Sequence, residues 1–270
     1  MYATNFEFAD KQLSDFGCII CEIGANSGVS EIEIGCDISF NTVKNNNSSI
    51  HYKTSSTYEN VCQTSFDIAK NPCLYNGNNK YMNDEEIRYL IKWLNRHEYK
   101  KFTPFNPEGN SDIHYYGSFN VKRKEINGHV AGLVLTFTSD SPFGYGERIQ
   151  NNFDMNANET FYIYGDSDEY TTIYPDVTIV SQEDCDLEIH NKTSGTKVVI
   201  DNLKAGEEIK LNGEHKYIVS NMEHNNLYDD FKYEWFDIFV SDDECENEYV
   251  VNAPVYISVE YEPIRKAGII

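Results

Sequence analysis

"HVAGLVLTFTSDSPFGYG" (residues 129–146) is the most apolar run of the chain, and it breaks off at Asp140-Ser141-Pro142-Phe143. Its first part, HVAGLVLTFTS (129–139), is β-rich. The residues before it, "HYYGSFNVKRKEI" (114–126), read as a second strand. Asn127-Gly128 joins the two. A two-residue hairpin turn needs positive φ at both positions, which Asn and Gly adopt at the least cost, so a β-hairpin is expected over 114–139. The stretch that follows, 141–160, is polar and carries Pro, Gly and Asn, the composition of a connection between domains.

Outward from this hairpin the chain keeps a strand-forming vocabulary. Strands are expected at 16–24 (FGCIICEIG), 31–43 (EIEIGCDISFNTV) and 63–69 (QTSFDIA), with Ile32, Ile34, Ile38 and Phe40 on one parity. One helix is expected, within NDEEIRYLIKWLNR and extending over 84–97. Asn83 or Asp84 can cap it, and Glu85 and Glu86 suit its positive end. Ile87, Leu90, Ile91 and Leu94 form the apolar stripe with Trp93 beside it, while Arg96 and His97 sit at the carbonyl end. After residue 160, strands are expected at 161–165, 176–181, 186–191, 196–203, 208–213, 216–220, 233–240 and 255–262, spaced as in a β-sandwich or barrel. The segment 42–66 is polar and strand-capable with little core of its own, the composition of either a surface loop or a hairpin arm.

Charge divides the chain in the same place. The total is −22; residues 1–140 hold 13 Lys+Arg against 17 Asp+Glu, a net of −4, and residues 141–270 hold 9 against 27, a net of −18. Such a surface repels phosphates and anionic lipid, so neither nucleic acid nor membrane is expected as a partner. The opening MYATNFEFADKQ lacks a basic and an apolar signal region, so synthesis in a cytoplasm is expected. The seven cysteines are odd in number and scattered, and free thiols are the expectation in a reducing compartment.

No residue is singled out as catalytic, cofactor-binding or metal-binding. Cys18-x-x-Cys21 has redox or zinc spacing, but it lies in a strand-like run with no second pair. His114, His129, His190, His215 and His224 stand in no catalytic motif, and no P-loop, GxSxG or HExxH occurs. "GDSDEY" (165–170) and "SDDECENEY" (241–249) are rich in oxygen ligands but lack the EF-hand pattern, so solvated acidic loops are expected. Lys122-Arg123-Lys124 reads as a solvated hairpin end or as a face for an acidic partner. The aromatic stretch Tyr228–Phe239 could stack on sugars, although alternation assigns most of it to the core. Asn158-Glu159-Thr160 and Asn191-Lys192-Thr193 fit glycosylation sequons that carry no meaning without secretion.

The order and spacing of these patterns resemble one family. "FADKQLSDFGCIICEI" (8–23), "ISFNTVK" (38–44), "FDIAKNP" (66–72), "WLN" (93–95), "YYGSFNV" (115–121), "GLVLTFTSDSPFG" (132–144) and "ISVEYEPIRKAG" (257–268) together resemble the phage distal tail protein family, Dit. The resemblance implies a mainly β chain with one helix and two β-sandwich domains. These would be a ring-forming N-terminal domain over 1–142, a linker over 143–158, and a galectin-like outer domain over 159–270. It further implies a non-enzymatic virion protein at the tail tip, a homo-hexameric ring that joins the tail tube protein to the tail-tip hub protein. Receptor-binding or other baseplate proteins would dock on the outer domain. The stop at 140–143 would then be the exit from the ring domain. Residues alone leave two alternatives open, a carbohydrate-binding module and a glycan hydrolase.

Overall fold

The computed structural model describes residues 3–23, 36, 38–44, 52–75, 80–106, 112–241 and 246–266. The chain forms two units. One ends at Gly146 and takes the chain back from Arg265; the other runs from Glu147 to Ile264.

The first unit contains β1 (Asn5–Phe8), β2 (Lys11–Gln12), β3 (Cys18–Cys21), β4 (Ile38–Lys44), β5 (Tyr52–Tyr58) and β6 (Gln63–Lys70). They are followed by helix α1 (Asp84–Leu94), β7 (Lys100–Phe105), β8 (Tyr115–Ile126), β9 (His129–Ser139) and the two-residue β10 (Gly144–Tyr145). Seven of these strands make one sheet in the order β2-β1-β7-β8-β9-β6-β3. The expected hairpin is β8–β9, with Asn127 at φ 50° and Gly128 at φ 79°.

This sheet cannot be flat. Four strand spacings separate β1 from β6, about 19 Å at ~4.8 Å each. Yet the rings of Phe6 on β1 and Phe66 on β6 lie 5.7 Å apart. The sheet therefore curls over its own inner face, and one aromatic core fills the fold. Phe119 is at its centre, with ring contacts to Phe6, Phe8, Phe66, Phe102 and Phe137 at 5.0–6.1 Å.

Helix α1 covers this core. Asn83 Oδ1 accepts from the Glu86 N–H (2.9 Å) and Glu86 Oε2 accepts from the Asn83 N–H (2.8 Å), a capping box that fixes the start of the helix. Ile87, Leu90, Trp93 and Leu94 are buried, while Ile91, expected in the stripe, is exposed. The helix ends at Leu94, short of the expected 97. Asn95 Nδ2 donates to Phe119 O, and Arg96 Nε donates to Trp93 O, so both side chains satisfy carbonyls where another turn would have continued. Trp93 Nε1 donates to Phe8 O at 2.7 Å, tying the helix to β1.

Gly132 is needed where β9 crosses a register shift opposite Lys124/Glu125. A Cβ there would lie 2.3 Å from the Ile68 carbonyl oxygen and 2.5 Å from Ile23 Cδ1. We expect Gly132→Ala to destabilise the first unit by about 1–3 kcal/mol, read as an earlier urea midpoint in Trp93 fluorescence.

The second unit is a two-sheet sandwich. Its strands are β11 (Ile149–Met155), β12 (Thr160–Tyr164), β13 (Thr172–Ile173), β14 (Asp176–Ser181), β15 (Cys185–Asn191), β16 (Lys197–Leu203), β17 (Glu208–Asn212) and β18 (Tyr217–Ser220). The single turn α2 (Leu227–Asp230), β19 (Ile238–Phe239), β20 (Glu246–Val251) and β21 (Val255–Tyr261) complete it. One sheet has the order β11-β21-β14-β17-β18, the other β12-β20-β15-β16. Inward residues such as Ile163, Ile179, Leu187, Ile200, Ile209 and Ile257 fill the space between them.

Two expectations are corrected here. Residues 149–155, expected inside a linker over 143–158, pair along their whole length with 255–261 as β11. The polar sequence IQNNFDM hides an inward parity on which Ile149 and Phe153 pack against the core and Met155 is buried in it. Within 233–240, expected as one strand, only Ile238–Phe239 is β. Tyr233 has φ 60°, which turns the chain out of extended geometry.

Candidate interaction surfaces

Strands β4 and β5 stand apart from the seven-stranded sheet as a two-stranded ribbon, Ile38 opposite Tyr58 through Lys44 opposite Tyr52. Of the two readings open for 42–66, surface loop or hairpin arm, the described residues form a ribbon, which starts before 42 and ends before 66 because Gln63 onward belongs to β6 and pairs with β9. The ribbon exposes apolar side chains: Phe40 is 70% exposed, Val43 65% and Ile38 49%. Ile38 and Phe40 share one face, whereas Ser39 on the other face hydrogen-bonds Thr57 across the strands at 3.1 Å. Ile32 and Ile34 lie outside the described residues.

The base of the ribbon is held by the turn at which the apolar run of β9 stops. Cys62 exchanges backbone hydrogen bonds with Ser139 and Ser141, and Phe143 packs edge-on against Tyr58 at 4.8 Å. The thiols of Cys36 and Cys62 both donate to Pro142 O, at 2.7 and 3.0 Å. The turn ends the core strand and anchors the ribbon at once.

The second unit carries a polar and aromatic cleft of about 590 Å³ at the end of its sandwich, lined among others by Tyr174, Ser194, Lys216, Trp235 and Asp237. Lys216 Nζ sits 3.0 Å from the centre of the Tyr174 ring and 5.2 Å from that of Trp235. Burial lowers the Lys216 pKa, and Asp237 opposes that shift. Asp237 is buried at the floor, where its carboxylate accepts from Asn191, Ser194 and Thr196. Asn247 accepts from Asn191 and exchanges hydrogen bonds with the Phe239 backbone. These buried amides are satisfied, as inward polar groups must be. Asn191, a residue of one sequon, is therefore a core residue.

Sequence reasoning missed a second buried polar group. His224 lies between Glu207 and Asp230, its Nδ1 2.8 Å from Glu207 Oε1 and its Nε2 2.9 Å from Asp230 Oδ2. Glu207 also accepts from the Ser220 hydroxyl (2.6 Å) and the Lys204 N–H (3.0 Å), and its side chain is 1% exposed. Burial opposes both charges, but the hydrogen bonds prevail: Glu207 is held below its ordinary range and His224 above its own. No motif signals this, since the three residues come from three separate loops and turns.

The remaining candidates disperse. Cys18 is buried and Cys21 half-buried on β3, and burial pushes both thiols up, Cys18 to about 11, away from the reactive thiolate. His114 is buried among Tyr116 and Tyr145, and His129 stacks on Tyr81. In the basic cluster Lys124 pairs with Asp67 at 2.6 Å, while Lys122 and Arg123 are exposed. Of the aromatic stretch, Phe231 and Phe236 are core, and Tyr228 and Tyr233 are exposed. Residues 242–245 of the second acidic loop lie outside the described residues, and no helix among those described is long and apolar enough to cross a membrane.

Two family models account for nearly the whole chain: a phage tail protein N-terminal domain matches residues 1–141 and a phage tail C-terminal domain matches residues 143–261. The chain belongs to this phage tail protein family. A search of curated proteins by sequence finds no match. Among solved structures the chain is similar to the Dit protein of phage SPP1, described as a paradigm of the hub adsorption apparatus in phages that infect Gram-positive hosts. The TM-score is 0.67 at 12% identity, over 96% of this chain and 98% of that one. At that identity the likeness concerns the fold, and it extends through both units of this tail protein.

Proposed function

We propose that this tail protein is a distal tail adaptor, six copies of which close a ring that joins the tail tube to the tail-tip hub. The observation that carries the reading is the end-to-end likeness of both units to a Dit fold, in a chain whose two domains both match phage tail models. The division of charge supports it. The first stretch, at −4, can pack against copies of itself, while the stretch at −18 stays apart in solvent and offers a docking surface for receptor-binding or other baseplate proteins. The mechanism is geometric and non-enzymatic. A cyclic ring needs a head-to-tail contact between two different patches of one chain, and its bore stays open for genome passage. In this reading the ring and outer roles fall to the two units, which divide at 146–147.

Light scattering of the purified chain, followed by negative-stain imaging, tests this. Six chain masses and a six-fold ring with peripheral knobs are expected. A monomer that binds or cleaves glycans would replace the adaptor with one of the carbohydrate readings.

A further inference from the structure

We propose that the cleft at the end of the second unit's sandwich binds a neutral saccharide, with Lys216 and Trp235 as hydrogen-bond donors and Tyr233 as the stacking face. The site is independent of the adaptor reading, because every residue that lines it belongs to the second unit.

One cation of this acidic unit has no partner. Residues 147–264 hold seven Lys and Arg. Arg148, Lys197, Lys204, Lys210 and Lys232 each pair with a carboxylate at 2.6–3.1 Å, and Lys192 bonds His190 at 2.8 Å. Lys216 Nζ makes neither a hydrogen bond nor an ion pair among the described residues. It rests against the Tyr174 and Trp235 rings, which occupy none of its N–H donors as a carboxylate would. The indole N–H of Trp235 is also without an acceptor among the described residues, whereas that of Trp93 donates to Phe8 O.

Backbone conformation marks the same place. Lys216 has φ 54° and Tyr233 has φ 60°. Bulky side chains are uncommon in this left-handed region, and such conformations gather where a ligand is clamped. Here they deliver an ammonium and an exposed aromatic ring to one cleft. Its volume of about 590 Å³ lies within the ~300–1,000 Å³ of small-molecule sites.

The lining selects the ligand. A pyranose has an apolar C–H face and a rim of hydroxyls that both donate and accept. The Tyr233 ring, in a residue 64% exposed, meets the first. Lys216 and Trp235 supply donors to the second. Acceptors come from the Glu234 carboxylate and from the Ser194 and Thr196 oxygens, whose protons are directed to Asp237 at 3.1 and 3.3 Å. The single ammonium stands beside two carboxylates, Glu234 and Asp237, and residues 141–270 carry −18, so an anionic ligand is repelled.

The test titrates the full chain with neutral oligosaccharides of glucose, galactose and N-acetylglucosamine at millimolar concentration, and with uronic acid oligomers beside them. Trp235 fluorescence reads the cleft, and a saturable change is expected with at least one neutral oligosaccharide. Lys216→Asn removes the ammonium and puts in its place a side chain that tolerates left-handed φ. It is expected to weaken binding at least about tenfold, the loss of one hydrogen bond to a charged group, with an unchanged melting curve. Tyr233→Asn, at an exposed position, is expected to act in the same direction. No saturable change with any neutral oligosaccharide, binding of uronic acid oligomers alone, or wild-type affinity in Lys216→Asn overturns the site. Light scattering on the same samples reads the ring separately, so loss of the site leaves the adaptor reading standing.

Discussion

Phe119→Ala is expected to cost the first unit about 3–5 kcal/mol, the range for removing a buried Phe from a core. Phe119 is buried and touches five other phenylalanine rings, drawn from β1, β6, β7 and β9. Those strands meet there only because the sheet curls, so the cavity opens at the point where both ends of the sheet are held together. Its walls are rigid rings already in edge-on or tilted contact, which leaves little room to collapse. The two tryptophans make the effect readable by unit, since Trp93 lies in the first and Trp235 in the second. The Trp93 transition should move to lower urea while the Trp235 transition stays. A loss below 1 kcal/mol, or an equal shift of both, would show that the curled core is not what holds this unit.

His224→Ala is expected to cost the second unit roughly 3 kcal/mol, because it strands a nearly inaccessible carboxylate on Glu207 without its cationic partner. The effect has a pH signature. His224 is raised above its ordinary 6.5, so its contribution is complete below 6.5 and fades as pH rises through the folded value. Glu207 is lowered from its ordinary 4.5, so its contribution is complete above 4.5 and fades as pH falls through the folded value. The network therefore stabilises most between about 4.5 and 6.5. The gap between wild type and His224→Ala in Trp235 melts should be widest near pH 5.5 and narrower at 8.5. A gap of equal size at both would mean that His224 acts by packing and not by charge.

Much of the fold is legible because it is local. Asn127-Gly128 fixes a hairpin whose turn residues must take positive φ, and that turn sets the register of the longest strands in the molecule. The box between Asn83 and Glu86 starts the helix from residues three apart. In the second unit, alternation in DVTIVS, KVVIDNL and EIKLNG already separates the inward side chains from the outward ones. Exposure of the ribbon is less legible: Ile38 and Phe40 alternate as core residues would, yet both are exposed, and no element among the described residues covers them.

The sequence by itself determined the strand inventory of most of the chain, the hairpin, the capped helix and the division of charge, since each depends on residues a few positions apart. Tertiary structure decided the rest. The pairing of 149–155 with 255–261 joins stretches about a hundred residues apart, and the polar outward face of IQNNFDM masked its strand character. The curl that brings Phe6 to Phe66, and the seating of His224 between Glu207 and Asp230, also depend on partners that only the folded chain supplies. Backbone preference acts between neighbours and is written in the order of residues; burial and charge pairing act through space, and their partners exist only once the chain has closed.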